Sequence, residues 1–192
     1  GRARAWVDSW PQWHTAVVED TGQPGEPFLF GPPIAGAIAL FLTYPQWICL
    51  NVAPAVAVAT TALFAAAQMT VRQYGDLYYC LETAVGPVAD TAARRLTLSD
   101  LPLLSAAPVT IVGADPVNLL RHKIAAGVVV DGKLVALAQN YALSPRYGDV
   151  GVATLPAYRR RGYATQAATL VGQWLQANGR IPVWSCGADN LA

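Results

Sequence analysis

Hydrophobic and polar positions define the second half of the chain most clearly. Residues 149–155 (DVGVATL) hold Val150, Val152 and Leu155 in a short run without helical period, which predicts a strand. Pro156, lacking an N–H donor, stops its ladder. Leu170, Val171, Trp174 and Leu175 then recur at helical spacing, predicting an amphipathic helix from about Gly162 to Ala177. Asn178-Gly179 supplies residues suited to a left-handed helix end. Ahead of this unit, Ile124–Val130 and Leu134–Asn140 read as strands joined by the turn Asp131-Gly132-Lys133. Arg94–Leu98 reads as a further strand, followed by a helix that Ser99 or Asp100 can cap, with Pro102 in its first turn. Asp115-Pro116 opens a second short helix, VNLLRHK, the stretch from Ser144 to Gly148 is a loop, and Ile181–Cys186 is the last strand.

The first half is patterned less clearly. Trp6, Trp10 and Trp13 fall at helical spacing, although Pro11 admits only a helix beginning near it; their rings are expected to pack on a core. Residues 22–33 carry four prolines and three glycines and read as a loop. Ile34–Leu42 is apolar and of ambiguous type. A strand from Trp47 to Val52, a helix opened by Pro54 and a strand from Leu77 to Glu82 suggest a small α/β layer of its own. Gly86-Pro87 marks a boundary, giving an N-terminal region over 1–92 and a second domain over 93–192. The uncharged stretch from Trp47 to Ala67 has about the length of a membrane span. Its alanine-rich composition, with Asn51 and Pro54 inside, favours a buried strand and helix instead.

Composition narrows the function classes. Apolar residues make up 54% and charged residues 13% of the chain, which excludes a disordered polymer. A formal net charge of +1 argues against nucleic-acid binding driven by overall charge, and the arginine run at 159–161 is too isolated to reverse that. Cys49, Cys80 and Cys186 form no C-x-x-C, and His14 and His122 are far apart, so no metal site is expected. No secretory signal is visible, since Arg2, Arg4 and Asp8 interrupt the start. Cysteine usage suits a reducing cytoplasm.

The chemistry concentrates between the strand at 149–155 and the following helix. The first N–H groups of a helix lack internal partners and carry partial positive charge, so such an end accepts phosphate. Gly162 lets backbone approach a ligand closely, and Ala164 keeps the next turn slim. Arg159, Arg160 and Arg161 add guanidinium groups suited to paired hydrogen bonds with phosphate. The pattern reads as a pyrophosphate site across Arg160–Thr165.

Strand, Pro156, Arg159-x-x-Gly162-x-Ala164 and helix together resemble the signature of the GNAT superfamily of acyl-CoA N-acyltransferases. Arg94–Pro102 is similar to that family's first strand and helix, and Val183–Cys186 with Asp189-Asn190 to its next strand and the opening of its last helix. The resemblance implies a mixed, mostly antiparallel α/β sheet flanked by helices, C-terminally incomplete, with an extra N-terminal α/β region. It implies acetyl-CoA as co-substrate, an amine acceptor and direct acyl transfer, without metal, nucleic acid or membrane; a homo-oligomer is compatible with it. The pyrophosphate would rest on Arg159, Arg160, Arg161, Gly162, Tyr163, Ala164 and Thr165. The pantetheine arm would run beside Val152, Ala153 and Thr154, with Asn190 at the slot's mouth. Asp149 is the candidate base and Glu82 a weaker one, while Cys186 reads as a small core residue. The family's last helix and strands have no counterpart, so the sheet edge beside Ile181–Cys186 is expected to be uncovered. The competing reading is an acyl-CoA-binding or regulatory module on the same core, without turnover.

Overall fold

The computed structural model describes residues 3–21, 25–87 and 91–188. Its contacts divide the chain into two units, Gly1–Gln73 and Tyr74–Ala192. The first holds β1 (Ala3–Val7), β2 (Ala16–Asp20), β3 (Phe28–Phe30), α1 (Ala35–Thr43), β4 (Asn51–Val52) and α2 (Pro54–Ala66), with the strands in the order β1-β2-β3-β4. Trp6 lies on a strand rather than a helix, because β1 pairs antiparallel with β2. Its ring packs 5.3 Å from both Tyr44 and Trp47, whereas Trp10 and Trp13 are exposed. The fully buried Glu19 carboxylate accepts from Arg4 and from Trp47 Nε1 at 2.7 Å, so a charge inside this aromatic core is paired. The apolar run after Trp47 gives only the two-residue β4, then α2 with Pro54 in its first turn. Among the described residues no helix is long and apolar enough to cross a membrane.

The second unit carries β5 (Asp76–Cys80), β6 (Ala93–Arg95), α3 (Leu101–Ser105), α4 (Val109–Val112), α5 (Pro116–His122), β7 (Ala125–Val130), β8 (Lys133–Leu143), β9 (Tyr147–Thr154), α6 (Tyr163–Ala177) and β10 (Ile181–Gly187). Its sheet runs β5-β10-β9-β8-β7-β6. Only β9 and β10 pair in parallel; the other neighbours are antiparallel. Asp131 and Gly132, at φ 50° and 74°, make the tight two-residue turn that the strand twist favours. Alternation along the strands splits the side chains between two faces. Val150, Ala136, Ala138 and Val128 meet Ala167, Val171 and Leu175 of α6. Ala153, Leu134, Leu137 and Ala125 meet Leu104, Ile111 and Leu119 of α3, α4 and α5.

The place of one strand changes here, and with it the expected open edge. The strand foreseen at 77–82 joins no N-terminal layer; it forms β5 and pairs antiparallel with β10, from Val183↔Cys80 to Gly187↔Asp76. Pairing satisfies amides that an open edge would leave to solvent, so the edge beside Ile181–Cys186 is covered. β5 thus lies in the unit Tyr74–Ala192. Asp100 is the residue before α3, as expected, but its side chain makes no cap bond to that helix. Thr97 leads a 3-10 turn over Leu98–Asp100, and the Asp100 carboxylate accepts Thr97 N–H at 2.9 Å and Arg94 Nη1 at 3.0 Å.

Arg94, then Thr97, hold the Asp100 carboxyl below its ordinary pKa. A depressed carboxylate contributes stability that is present above the unfolded value of about 3.9 and fades as pH falls through the folded value. Asp100→Ala is expected to lower stability by about 1 kcal/mol. Urea melts should show that deficit at pH 6 and its shrinkage as the pH drops below 4; a pH-independent deficit would contradict this origin.

Candidate active site

β9 and β10 pair only through Tyr147↔Ile181, Gly148↔Pro182 and Asp149↔Val183. Beyond that point β10 keeps β5 as partner and β9 keeps β8, which leaves a slot between the diverging strands. Leu155 N–H reaches the Val135 carbonyl. By antiparallel alternation Ala153 also points its amide to β8, and Val152 and Thr154 turn theirs to the slot. Of the three residues expected beside an extended ligand, Val152 and Thr154 therefore present backbone groups. Ala153 instead packs its side chain against the α3–α5 core. Thr154 Oγ1 is buried without a hydrogen-bond partner.

The open end of the slot leads to the start of α6. No side chain caps this helix, and its hydrogen bonding begins with Gln166 N–H on the Gly162 carbonyl at 3.0 Å. The amides preceding Gln166 remain available to an anion. Gly162 sits at φ 75°, and a Cβ there would meet only Gln166 Nε2, at 4.0 Å. Glycine is thus required by backbone conformation, and the space beside it is open.

The three arginines differ. Arg159 Nε donates to the Thr154 carbonyl at 3.4 Å, and Arg161 lies over the Tyr158 ring at 5.4 Å. Arg160, exposed and itself left-handed at φ 62°, has no partner among the described residues. Tyr163, Ala164 and Thr165 form the first turn of α6.

From Ala164 and Thr165 a cavity of about 560 Å³ extends past Ala168 and Gly172 to Val150, Val183 and Trp184, with Tyr79, Leu81 and Val85 opposite the helix. Small residues at 164, 168 and 172 line about 12 Å of one helix face. The cavity therefore connects the helix end with the point where β9 and β10 separate.

Asp149 stands at that point on the other face of the sheet. It is half-buried, its carboxyl is raised above the ordinary aspartate range by desolvation, and it has no ion-pair partner among the described residues. The β9 register resolves which face it takes: Gly148 and Val150 turn to α6, whose Leu175 crowds Gly148, so Asp149 and Gly151 face away. A Cβ on Gly151 would overlap the Tyr141 ring, 1.7 Å from Cε2; the ring lies directly over this glycine beside Asp149. Gln139 pairs with Gly151, and its Oε1 is buried without a partner. Tyr78 of β5 completes the same face. Tyr78, Gln139 and Tyr141 carried no signal in the sequence, because only strand register brings them beside Asp149.

Glu82 is exposed beyond β5 and lines a shallow hollow with Gly179 and Arg180, at the opposite end of α6 from the open helix start. Cys186 is half-buried on β10. Asn190 lies outside the described residues. Among the described residues no group of three His, Cys, Asp or Glu side chains could hold a metal ion.

A strand slot opening on an uncapped helix start, within this sheet order, is the GNAT fold. Residues 117–192 match the model of the family described as GNAT acetyltransferase. A GNAT-family protein from Novosphingobium aromaticivorans is 26% identical, with 61% of this chain and 54% of that one covered at a TM-score of 0.52. The chain thus spans about half the length of that relative. A GCN5-related N-acetyltransferase-like protein from Streptococcus suis is 15% identical over 97% of this chain and 79% of its own, at a TM-score of 0.67. A tandem GNAT protein from the clavulanic acid biosynthesis pathway is 12% identical over 98% and 75%, at 0.53. None of the curated proteins compared matches the chain. Residues 117–192 are thus similar to the GNAT acetyltransferase family, and the solved structures share the fold of the chain.

Proposed function

We propose that the protein is an acyl-CoA-dependent N-acyltransferase that moves an acetyl group from acetyl-CoA to an amine by direct transfer in the cytoplasm. The observation that carries this reading is the continuous path from the uncapped start of α6, through the cavity, to the separation of β9 and β10 beside Asp149. Arg160 and the amides from Arg161 to Thr165 would hold the pyrophosphate. Val152 and Thr154 would hydrogen-bond the pantetheine amides as an added strand does. The thioester would then meet Asp149 across the sheet, and slot-facing N–H groups of β9 would stabilise the oxyanion.

Asp149, directly or through water, takes the proton that the amine sheds as its nitrogen bonds to the acetyl carbon. The C–S bond breaks, and the CoA sulfur leaves as thiolate, which takes a proton from solvent. Positioning of two substrates supplies much of the acceleration, and proton removal the rest. A raised Asp149 pKa suits it to accept a proton nearer neutrality than a free aspartate does.

Calorimetric titration with acetyl-CoA is expected to show micromolar binding, about −8 kcal/mol, and mixed primary amines should release free CoA thiol. Binding without thiol release from any amine supports a non-catalytic acyl-CoA-binding module instead. No binding at millimolar acetyl-CoA removes both readings.

A further inference from the structure

The face of the sheet opposite α6 holds features that acyl-CoA binding does not use. Asp149 shares Val183 as lateral neighbour with Cys80, so the side chains of Asp149, Val183 and Cys80 project to one side. Tyr78, two residues before Cys80 and opposite Ser185, projects to that same side. It is 65% exposed, like the rest of edge strand β5, so its ring is open to a ligand. On the other flank of Asp149 stands the Tyr141 ring, held over Gly151. Behind them Gln139 is 8% exposed and leaves Oε1 without a donor, an arrangement that native interiors seldom tolerate without a ligand or water.

We infer that this face binds the acyl acceptor as an amine carried on a flat aromatic or apolar body, with its nitrogen at Asp149 and its body against Tyr78 and Tyr141. The inference rests on the acyltransferase reading of Asp149 and adds the class of acceptor. An ammonium arriving at Asp149 makes a charge-assisted hydrogen bond in a half-desolvated setting, and it loses one proton to water there before its nitrogen attacks. Its approach is favoured by the nearby Tyr78 face, which attracts cations. Asp76, beside Tyr78, reinforces the negative field: desolvation first, then the charges of Asp76 and Asp149, hold the Tyr78 phenol above its ordinary pKa, so Tyr78 remains neutral at physiological pH. Lys123 Nζ lies 5.2 Å from the Tyr141 ring centre, which directs a cationic head away from that ring and towards Asp149.

Binding of small probes without any acyl donor tests this on the whole chain. By calorimetry or NMR titration, 2-phenylethylamine should bind at least about tenfold more tightly than 2-phenylethanol, which lacks the charge, and than ethylamine, which lacks the body. Tyr78→Leu should weaken 2-phenylethylamine about tenfold while Tyr78→Phe retains it, and Asp149→Asn should remove the preference over the alcohol. Acetyl-CoA affinity, measured in parallel, should be unaffected by both Tyr78 variants. Equal binding of ethylamine, or an unchanged Tyr78→Leu, overturns the acceptor class while leaving acetyl-CoA binding intact. Failure of acetyl-CoA to bind is a separate result and bears on the proposed function alone.

Discussion

Arg160→Glu combined with Gly162→Trp should lower acetyl-CoA affinity at least about a hundredfold, because each change acts on a different part of the cradle. Arg160 is the one arginine of the run without an intrachain partner among the described residues, so reversing its charge breaks no internal contact and acts on the ligand's phosphates. At Gly162 the chain itself leaves room: an added Cβ meets nothing nearer than 4.0 Å. An indole would be accommodated by the protein and would occupy the space that a pyrophosphate needs. Since φ is 75°, the change also introduces strain of about 1–2 kcal/mol. A thermal melt must therefore accompany the titration. A folded double variant that still binds acetyl-CoA with unchanged affinity would refute the cradle as the phosphate site.

Asp149→Asn is expected to reduce kcat about 10²–10⁴-fold, the usual contribution of a positioned base, with acetyl-CoA affinity retained. The same change should stabilise the fold at neutral pH. Burial raises the Asp149 pKa, so between the unfolded and folded values the native state binds more protons than the unfolded chain. Stability then falls as pH rises through that interval, and above it the charged, half-buried carboxylate is a standing penalty. Asparagine lacks that penalty. The wild type should show a rising limb of kcat/KM above the ordinary aspartate range, and the variant should lose both that limb and the pH-dependent stability loss. A variant of undiminished kcat would assign proton removal elsewhere.

Several features were legible from residue order. The helix after Gly162 ends at Ala177 as expected, because Val171 and Leu175 form an apolar stripe and Asn178-Gly179 cannot extend it. Asp131-Gly132 announced its hairpin through the left-handed preference of those two residue types. The tryptophans at 6, 10 and 13 belong to no helix, since intervals of four and three residues are also compatible with a short strand running into a loop. Asp100 stands at the position before α3 that its residue type favours, whereas its reach back to the Thr97 amide is a matter of turn geometry.

The local propensities of the chain determined where α6 begins and ends, that its start is held open by a left-handed glycine, and that arginines flank it. Those properties depend on φ preferences and on spacing along a few residues, which sequence records directly. Partner choice among strands was decided only by the tertiary structure. It placed β5 against β10, made β10 abandon β9 after three residue pairs, and gathered Asp149, Tyr78, Tyr141 and Gln139 on one face. Strand pairing joins residues about a hundred positions apart through backbone groups that every residue carries alike, and a shift of one position would turn each of these side chains to the other side of the sheet.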